Sequence, residues 1–507
     1  MTAEDHAPLC AREGLTERRT SFAQYLATTA DLSQCDVGQV ISVDTLPDDV
    51  LLAIFDQYVT KGNLYEDEKE MAWRSLVHVC RRWRSIIFGS PRHLNLRLVC
   101  QESTPARDTL DVWPALPLVI LCYEGIRSMD NIIAVLECRD RVCQIDLVNV
   151  QSPDLEIYLA AMQQPFPELT HLFLRSKGEA GEVPFVPDSF LGGSAPRLEH
   201  LMLSGIPFLG LPKLLLSAAH LVGLYLINIP HSGYISPDVM VNALSTLTSL
   251  RSLQIDFQSP RSFPNQGSRR PPTSTRLFLP VLRYFNFKGA AEYMEDLVAC
   301  IDAPQLGGVE IAFFNDIVFD TPQLTRFISR TPTSGVLEKA HITLQNGDAS
   351  LDISPQTSGD HWQKIKVTIL CRGLEWQVSS LEQVCASCLP FLSKLEDLYI
   401  YDSSNSPPDW KDIENELWLQ LLHSFAAVKN FYLSEQFALR IGPALQELAE
   451  GRATEVLPAL QKIFLEGLES SGSVQEGMGK FVAARQVAGR PMAVSSWANS
   501  NTDKKYF

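Results

Sequence analysis

Two pairs of residues in the sequence could take part in chemistry, and neither forms a complete site. Cys385 and Cys388 have the spacing of a redox pair or of half a zinc site, but no second cysteine pair or nearby histidine completes a tetrahedral ligand set. Both fall in an expected helix, where positions i and i+3 share a face, so core packing is favoured over a redox role. His171 and His200 occupy equivalent places in consecutive repeats without a third ligand. We therefore expect no catalytic residue, no metal, no cofactor and no enzymatic activity.

The composition is typical of a folded globular protein with an acidic surface. Of its 507 residues, 45% are hydrophobic and 20% are charged, and 59 acidic against 43 basic side chains give a formal net charge of −16. Because non-specific nucleic-acid binding depends on basic surfaces that neutralise phosphates, this charge argues against a nucleic-acid partner. The leucine-rich stretch 208–229 is interrupted by Pro212, Lys213 and His220 and is too short to span a membrane, so no membrane association is expected.

The cysteines and the first residues bear on the compartment. The 11 cysteines are scattered without the spacing of a disulfide framework, and the sequence contains no Asn-x-Ser/Thr glycosylation site. The start, Met1 to His6, has neither the basic nor the apolar part of a signal peptide. These features are typical of a reducing compartment, so we expect an intracellular protein of the cytoplasm or nucleus.

One short pattern recurs along most of the chain. It reads apolar-x-x-apolar-x-apolar, and from Val142 to Leu460 its copies lie on average about 29 residues apart, at the upper end of the range for leucine-rich repeats. Each copy should form a short strand, because alternate side chains of a strand point to the same face. Helices are expected between the strands at 154–162, 237–247, 290–301, 381–392 and 413–425.

The sequence therefore predicts an α/β fold in which an irregular leucine-rich-repeat solenoid of short parallel strands and helices occupies 94–470. A unit of one strand and one helix cannot bury its apolar face alone, so neighbouring units must stack. The repeats are degenerate because the Asn or Cys that normally follows the leucine strand is missing, and they are weakest over 331–370. A generic α/β domain with leucine-rich strands is the alternative. A polar N-terminal segment is expected at 1–40 and a C-terminal tail at 471–507.

The middle residue of each apolar-x-apolar triplet should point into the concave face of a curved repeat array. Aromatic side chains at both ends of this row suit protein recognition, because aromatic residues are enriched in interface cores. Burial of the same rings under helices or loops, as ordinary core, is equally compatible with the sequence. The row consists of Phe173, Met202, Tyr225, Gln254, Asn286, Glu310, Thr343, Tyr399, Tyr432 and Phe464.

Residues 41–92 form a separate helical block before the repeats. A first helix should begin at Pro47, because proline suits the first helical position and Asp48 and Asp49 place carboxylates at the positive end of the helix dipole. One apolar stripe follows at helical spacing, formed by Leu51, Ile54, Phe55 and Tyr58. A second helix is expected over 73–87.

Two parts of this block resemble the F-box, a small three-helix module. The first is Leu46-Pro47-x-x-Val50-Leu51-x-x-Ile54-Phe55 and the second is Val79-Cys80-Arg81-Arg82-Trp83, together spanning about fifty residues of the chain. A charged segment at 63–72 stands where that family has its short middle helix. The resemblance implies that an apolar face docks on a Skp-type adaptor, which joins it to a cullin scaffold. The adaptor-binding residues that it implies are Leu46, Pro47, Val50, Leu51, Ile54, Val79, Cys80 and Trp83.

F-box proteins often carry leucine-rich repeats as the part that binds the substrate. The resemblance therefore implies the substrate-recognition subunit of a Skp–cullin–F-box ubiquitin ligase, with an unidentified protein substrate held by the repeats. Such a receptor acts by proximity, because linking two binding modules raises the effective concentration of the substrate at the ligase. The alternative is a ligase-independent scaffold for protein–protein interaction. Because so small a module has few apolar residues to spare, Trp83 is favoured as core, and Leu46 and Pro47 as interface.

Overall fold

The computed structural model divides the chain into two compact units, residues 1–95 and 96–507. The polar segment 1–40 lies outside the described residues. The residues that the structure describes are 43–60, 66–101, 106–123, 129–178, 183–208, 210–259, 276–314, 321–331, 337–345, 347–355, 364–371, 373–401, 413–449, 451–466 and 472–497.

The described residues of the first unit form three α-helices: α1 (Asp48–Thr60), α2 (Glu66–Val77) and α3 (Arg81–Gly89). A short 3₁₀ turn, Val43–Thr45, precedes them. The unit has a small apolar core, in which the Phe55 and Trp83 rings lie 4.7 Å apart between centroids. The other core side chains are 9% exposed or less, and they are Leu51, Val59, Trp73, Leu76, Val77 and Ile87.

The helix boundaries differ from the sequence prediction in two places. The single helix expected over 73–87 is divided, because Cys80 adopts an extended conformation and its Sγ accepts the backbone N–H of Trp83 at 3.4 Å as the N-cap of α3. The charged segment 63–72 does not replace a helix, since its residues from Glu66 onward form the first half of α2. An ion pair of 2.6 Å between Arg74 and Glu70, one turn apart, lies on this helix.

The second unit is built on one long sheet, which has sixteen strands among the described residues. A short two-stranded sheet of β8 (Leu277–Phe278) and β10 (Ile301–Asp302) lies apart from it. The strands of the long sheet are β1 (Leu98–Gln101), β2 (Leu118–Cys122), β3 (Val142–Val150), β4 (His171–Ser176), β5 (His200–Ser204), β6 (Gly223–Ile229), β7 (Ser252–Phe257), β9 (Tyr284–Gly289), β11 (Gly308–Phe314), β12 (Leu337–Leu344), β13 (Ala349–Pro355), β14 (Lys364–Leu370), β15 (Asp397–Tyr401), β16 (Asn430–Leu433), β17 (Lys462–Glu466) and β18 (Ala493–Trp497).

Helices alternate with most of these strands. Those expected from the sequence near 154, 237, 290, 381 and 413 are present, with shifted ends. The helices of this unit are α4 (Ala106–Val112), α5 (Met129–Leu136), α6 (Ser152–Ala161), α7 (Leu211–Leu215), α8 (Pro237–Leu244), α9 (Ala291–Ala299), α10 (Pro322–Ser329), α11 (Leu374–Cys388), α12 (Asn415–His423), α13 (Glu435–Glu447) and α14 (Gly472–Val487).

Alternation along the strands separates two faces of the sheet. One face is core, because the apolar residues of neighbouring strands are in register and form buried rows. Such a row runs across β4, β5, β6, β7 and β9, and every member is at most 1% exposed. Its members are Leu172, Leu201, Leu224, Leu253 and Phe285. We call the opposite face the open face, because from β4 onward most of its side chains are half-exposed. At the β1–β2 end the same face is buried, at Val99, Val119 and Leu121.

The segment 331–370, where the repeat pattern is weakest, departs from a parallel array. Here the strand order is β11-β14-β13-β12-β15, and β13 is antiparallel to both of its neighbours. A tight turn between Gln345 and Asp348 joins β12 to β13, with a backbone hydrogen bond of 2.8 Å. A turn this short can join only antiparallel strands, because parallel strands need a long crossover. The sequence analysis missed β13 since it looked for one repeating parallel unit.

The segment 471–507 also differs from the expected tail. Helix α14 and strand β18 form a further strand–helix unit, and β18 pairs in parallel with β17. The Arg485 side chain of α14 is 0% exposed, so its guanidinium needs hydrogen-bond acceptors. It donates to the carbonyl oxygens of Ala453, Leu457, Pro458 and Leu460 at 2.9–3.4 Å. These bonds fix the helix to the chain before β17.

In the described part of the chain, no helix combines the length and the apolar character needed to cross a membrane. The leucine-rich stretch 208–229 contains the short helix α7 and the strand β6.

Candidate protein-binding surfaces

The two sequence segments that resemble the F-box lie side by side in the first unit. Arg82, at the start of α3, donates from Nε and Nη2 to the Asp48 carboxylate at 3.0 and 2.6 Å. Its Nη2 also donates to the backbone oxygen of Leu46. The beginning of α1 and the beginning of α3 are therefore held together, although about 35 residues separate them.

The exposure of the implied adaptor-binding residues divides them into groups. Val50, Ile54 and Val79 are 39%, 49% and 58% exposed, which is unusual for apolar side chains, and Pro47 is exposed as well. Leu46, Cys80 and Trp83 are half-buried. Leu51 is 1% exposed and belongs to the core, so it cannot contact a partner in this arrangement.

The apolar stripe expected on α1 is in fact two adjacent stripes. Leu51, Phe55 and Val59 face the core, whereas Val50, Ile54 and Tyr58 are 39–49% exposed. Each stripe has a spacing of four residues, and the two are offset by one position. We call the exposed one the α1 stripe. Tyr58 is a member that the F-box resemblance does not include, and its spacing from Ile54 was the signal for it.

On the open face of the second unit, the register aligns one side chain from each strand into a continuous row. Every member of this row is half-exposed, so helices do not cover it. From β4 to β18 we call this the middle row. Its members, in spatial order, are Phe173, Met202, Tyr225, Gln254, Asn286, Glu310, Lys366, Asp352, His341, Tyr399, Tyr432, Phe464 and Ser495.

The sequence analysis left open whether these rings are core, and their exposure now places them on an uncovered face. It also assigned Thr343 to the row, whereas the pairing of β12 with β15 puts His341 opposite Tyr399. Lys366 and Asp352 were missed, the latter together with its strand β13.

The C-terminal part of the middle row is a stack of rings. Successive centroids from His341 to Tyr399, Tyr432 and Phe464 lie 4.4, 4.1 and 4.4 Å apart, and their planes are within 9° of parallel. The Trp497 ring meets Tyr399 and Tyr432 edge-on, at 6.0 and 5.6 Å. We call the four stacked rings the aromatic stack. Because the ring faces contact each other, the ring edges remain for a partner.

Burial changes the titration of two side chains in this stack. Desolvation, with a smaller contribution from Lys339, lowers the pKa of His341 to about 4, and the neighbouring Asp397 opposes this only in part. Burial also raises the pKa of Tyr399 above its usual value. Both side chains are therefore neutral near pH 7, so the aromatic stack exposes ring edges and hydroxyl groups and carries no charge of its own.

The central part of the middle row is polar and internally paired. Lys364 forms an ion pair with Glu310, and Lys366 lies 3.9 Å from Asp352. Asn286 donates to the Glu310 carboxylate at 3.5 Å. Partly exposed ion pairs such as these contribute little to stability, and they leave this part of the face without a strong net charge.

The N-terminal part of the open face brings together the two histidines of the sequence analysis. The rings of His171 and His200 stack at 4.9 Å between centroids, and the hydroxyl of Thr170 lies 2.9 Å from Nδ1 of His171. In β6 the residue paired with His200 is Gly223, and a Cβ added there would lie 2.6 Å from the His200 ring. A glycine therefore makes room for the ring. The described residues contain no cluster of three or more metal-ligating side chains.

A cleft of about 1290 Å³ lies beyond the carboxyl ends of β4, β5 and β6. Two asparagines line it, Asn149 and Asn228, which are the second-last residues of β3 and β6 and have φ of 61° and 51°. This left-handed conformation is one that asparagine tolerates better than most residues. Each asparagine lies one position before the place that the repeat pattern gives to Asn or Cys, and Val150 and Ile229 fill that place, as the sequence analysis stated. Arg175 and Lys177 add positive charge to the cleft, against Glu156.

Comparison with known proteins adds one structural neighbour. No protein-family model matches this chain, and no curated protein matches it. Among solved structures, the chain is similar to the leucine-rich repeat-containing protein LegL7 from Legionella pneumophila, with 12% identity and a TM-score of 0.28. The likeness covers 76% of this chain and 97% of that chain.

The second unit is a leucine-rich-repeat-like solenoid. Its own strand order carries this assignment, because consecutive strands from β1 to β7 are parallel neighbours and most are joined through a helix. Cys385, 3% exposed on α11, is part of the solenoid core, in line with the packing interpretation.

Proposed function

We propose that this protein is a non-catalytic receptor that holds a protein partner on the open face of the solenoid. The observation that carries the proposal is the middle row, in which every strand of the long sheet from β4 to β18 presents a half-exposed side chain. A face of this kind offers aromatic anchors flanking a polar centre, and aromatic residues dominate the energetics of protein interfaces.

We further propose that the first unit is an F-box-like module that binds a Skp-type adaptor, and that the whole chain is the substrate-recognition subunit of a cullin-based ubiquitin ligase. The α1 stripe supports this, because exposed apolar side chains at a spacing of four residues suit docking in a hydrophobic groove. Leu46 and Pro47 lie at the start of α1, where Arg82 holds the chain to the start of α3, and Val79 directly precedes the N-cap of α3. The ligase-independent scaffold remains the second candidate.

The adaptor role is tested with the full chain and a purified Skp-type adaptor. The double substitution Val50→Glu with Ile54→Glu places two charges on the α1 stripe and should abolish co-elution of the adaptor. The matched control is Val112→Glu, which changes an apolar residue of the solenoid that is 74% exposed. Circular dichroism should be the same for all three proteins.

Two results would contradict the adaptor role: no binding by the unaltered chain, or undiminished binding by the double variant. Addition of a cullin then separates the two candidates. A receptor of the ligase carries the cullin into the complex together with the adaptor, whereas a ligase-independent scaffold binds the adaptor alone.

A further inference from the structure

The two edges of the long sheet differ in their exposure. At one edge, Leu98, Val99 and Cys100 of β1 are 0–4% exposed. At the other edge, every residue of β18 is exposed or half-exposed. In the described part of the chain β18 pairs with β17 alone, from Ala493 opposite Lys462 to Trp497 opposite Glu466. The second edge is thus open to another strand.

The ladder between β17 and β18 shows which backbone groups are available. The N–H of Ala493 donates to the carbonyl oxygen of Gln461 at 2.9 Å. Because alternate residues of a strand bond to the same neighbour, Ser495 and Trp497 also face β17. Val494 and Ser496 therefore turn their N–H and C=O groups toward the free edge.

Nothing in β18 opposes strand addition. Natural edge strands are protected by charged side chains, prolines or β-bulges. The sequence of β18 is Ala-Val-Ser-Ser-Trp, without charge or proline, and its register with β17 is continuous.

We propose that β18 pairs in antiparallel fashion with β18 of a second copy of this chain, about a two-fold axis at Ser495. In this register Val494 and Ser496 of one copy lie opposite Ser496 and Val494 of the other. These are the residues whose backbone groups face the edge, so both copies gain hydrogen bonds at once.

Size and charge complementarity favour a second copy as the occupant. On the open face, Trp497 of each copy lies opposite Ala493 of the other, so a large side chain meets a small one. On the other face of the sheet, Val494 of each copy lies opposite Ser496 of the other. No like charges face each other on either side. An isologous contact of this kind is self-complementary, as two-fold symmetry requires.

The association should be weak and concentration-dependent. Five residues extend about 17 Å, and an edge of that length buries much less than the roughly 800 Å² per partner of a standard interface. Sedimentation should therefore show a mass that rises with concentration from 56.6 kDa toward twice that value.

The test uses sedimentation of the full chain over a wide concentration range. Val494→Lys adds a charge at the edge and Ser496→Pro removes an outward N–H, while neither breaks the ladder with β17. Both should keep the mass at that of a monomer. The matched control, Val487→Lys, makes the same change on α14 at a residue that is 90% exposed, and should dimerise like the unaltered chain.

A crosslink tests the register. Residues at the two-fold axis of a non-hydrogen-bonded pair lie close enough for a disulfide, so Ser495→Cys should give a covalent dimer on oxidation and the unaltered chain should not. The proposal is overturned if the unaltered chain stays monomeric, or if the edge variants dimerise as it does. It is also overturned if deletion of 498–507 is needed for dimerisation, because the chain's own end would then occupy the edge.

Discussion

Helix α1 and strand β16 each carry a buried face beside an exposed one, but the two faces are separated differently. On α1, Leu51 is core and its neighbour Val50 is exposed, about 100° away around the helix. On β16, Phe431 is core and Tyr432 is half-exposed, on opposite sides of the sheet. On a helix, buried and exposed apolar residues are therefore neighbours within one sequence pattern. On a strand, buried and exposed residues alternate regularly.

This difference explains two outcomes of the sequence analysis. The apolar stripe expected on α1 mixed members of the buried and the exposed stripe. The residues expected in the row on the open face were correct except at Thr343, where His341 takes the place, and the prediction lacked Lys366 and Asp352. Separating core from surface on a helix requires the position of the neighbouring helices, which a single amphipathic pattern does not give.

The largest effect should come from the buried side of β16. Phe431→Ala should lower the free energy of unfolding by about 3–5 kcal/mol, because it leaves a cavity beneath the sheet. Tyr432→Ala should cost about 1 kcal/mol, the approximate contribution of a stacked aromatic pair. Urea unfolding of the full chain measures both. An equal loss of unfolding free energy in the two variants would mean that Tyr432 is as buried as Phe431.

A similar contrast should hold on α1, with a slightly smaller effect. Leu51→Ala should destabilise the module by about 2–5 kcal/mol, while Ile54→Ala should stay within about 0.5 kcal/mol because its side chain is already half in water. Thermal unfolding followed by circular dichroism compares the two. A large loss for Ile54→Ala would contradict the assignment of the α1 stripe to the surface.

A still smaller effect should depend on pH through His341. Its pKa is lowered to about 4 in the folded chain from 6.5, so folding favours the neutral ring. Its contribution is fully present above pH 6.5 and is lost as the pH falls toward 4, because the unfolded chain then binds the proton more readily. Between pH 7 and 4.5, Tm of the unaltered chain should fall about 2–4 °C more than Tm of His341→Phe. An equal fall in both would show that His341 does not titrate in this way.

The smallest effect is expected in the polar centre of the open face. Lys364→Met removes the ion pair with Glu310 and should change the free energy of unfolding by less than about 1 kcal/mol, since the pair is partly exposed. A loss as large as that of Phe431→Ala would show that this pair is a structural element of the sheet.

Local patterns determined much of what the sequence revealed. The leucine spacing located most parallel strands, and Pro47 with the two aspartates located the start of α1, because helix ends and strand alternation depend on neighbouring residues alone. The pairing of Arg82 with Asp48, which joins the two F-box-like segments, was not visible, since no local rule relates side chains 34 positions apart.

Tertiary structure alone decided the rest. It set β13 antiparallel between β12 and β14 and extended the solenoid through α14 and β18, whose outer edge pairs with no other described strand. The sequence by itself determined which residues are apolar and with what period they recur. Which of them are covered depends on what packs against each face, and that is a property of contacts between residues far apart in the chain.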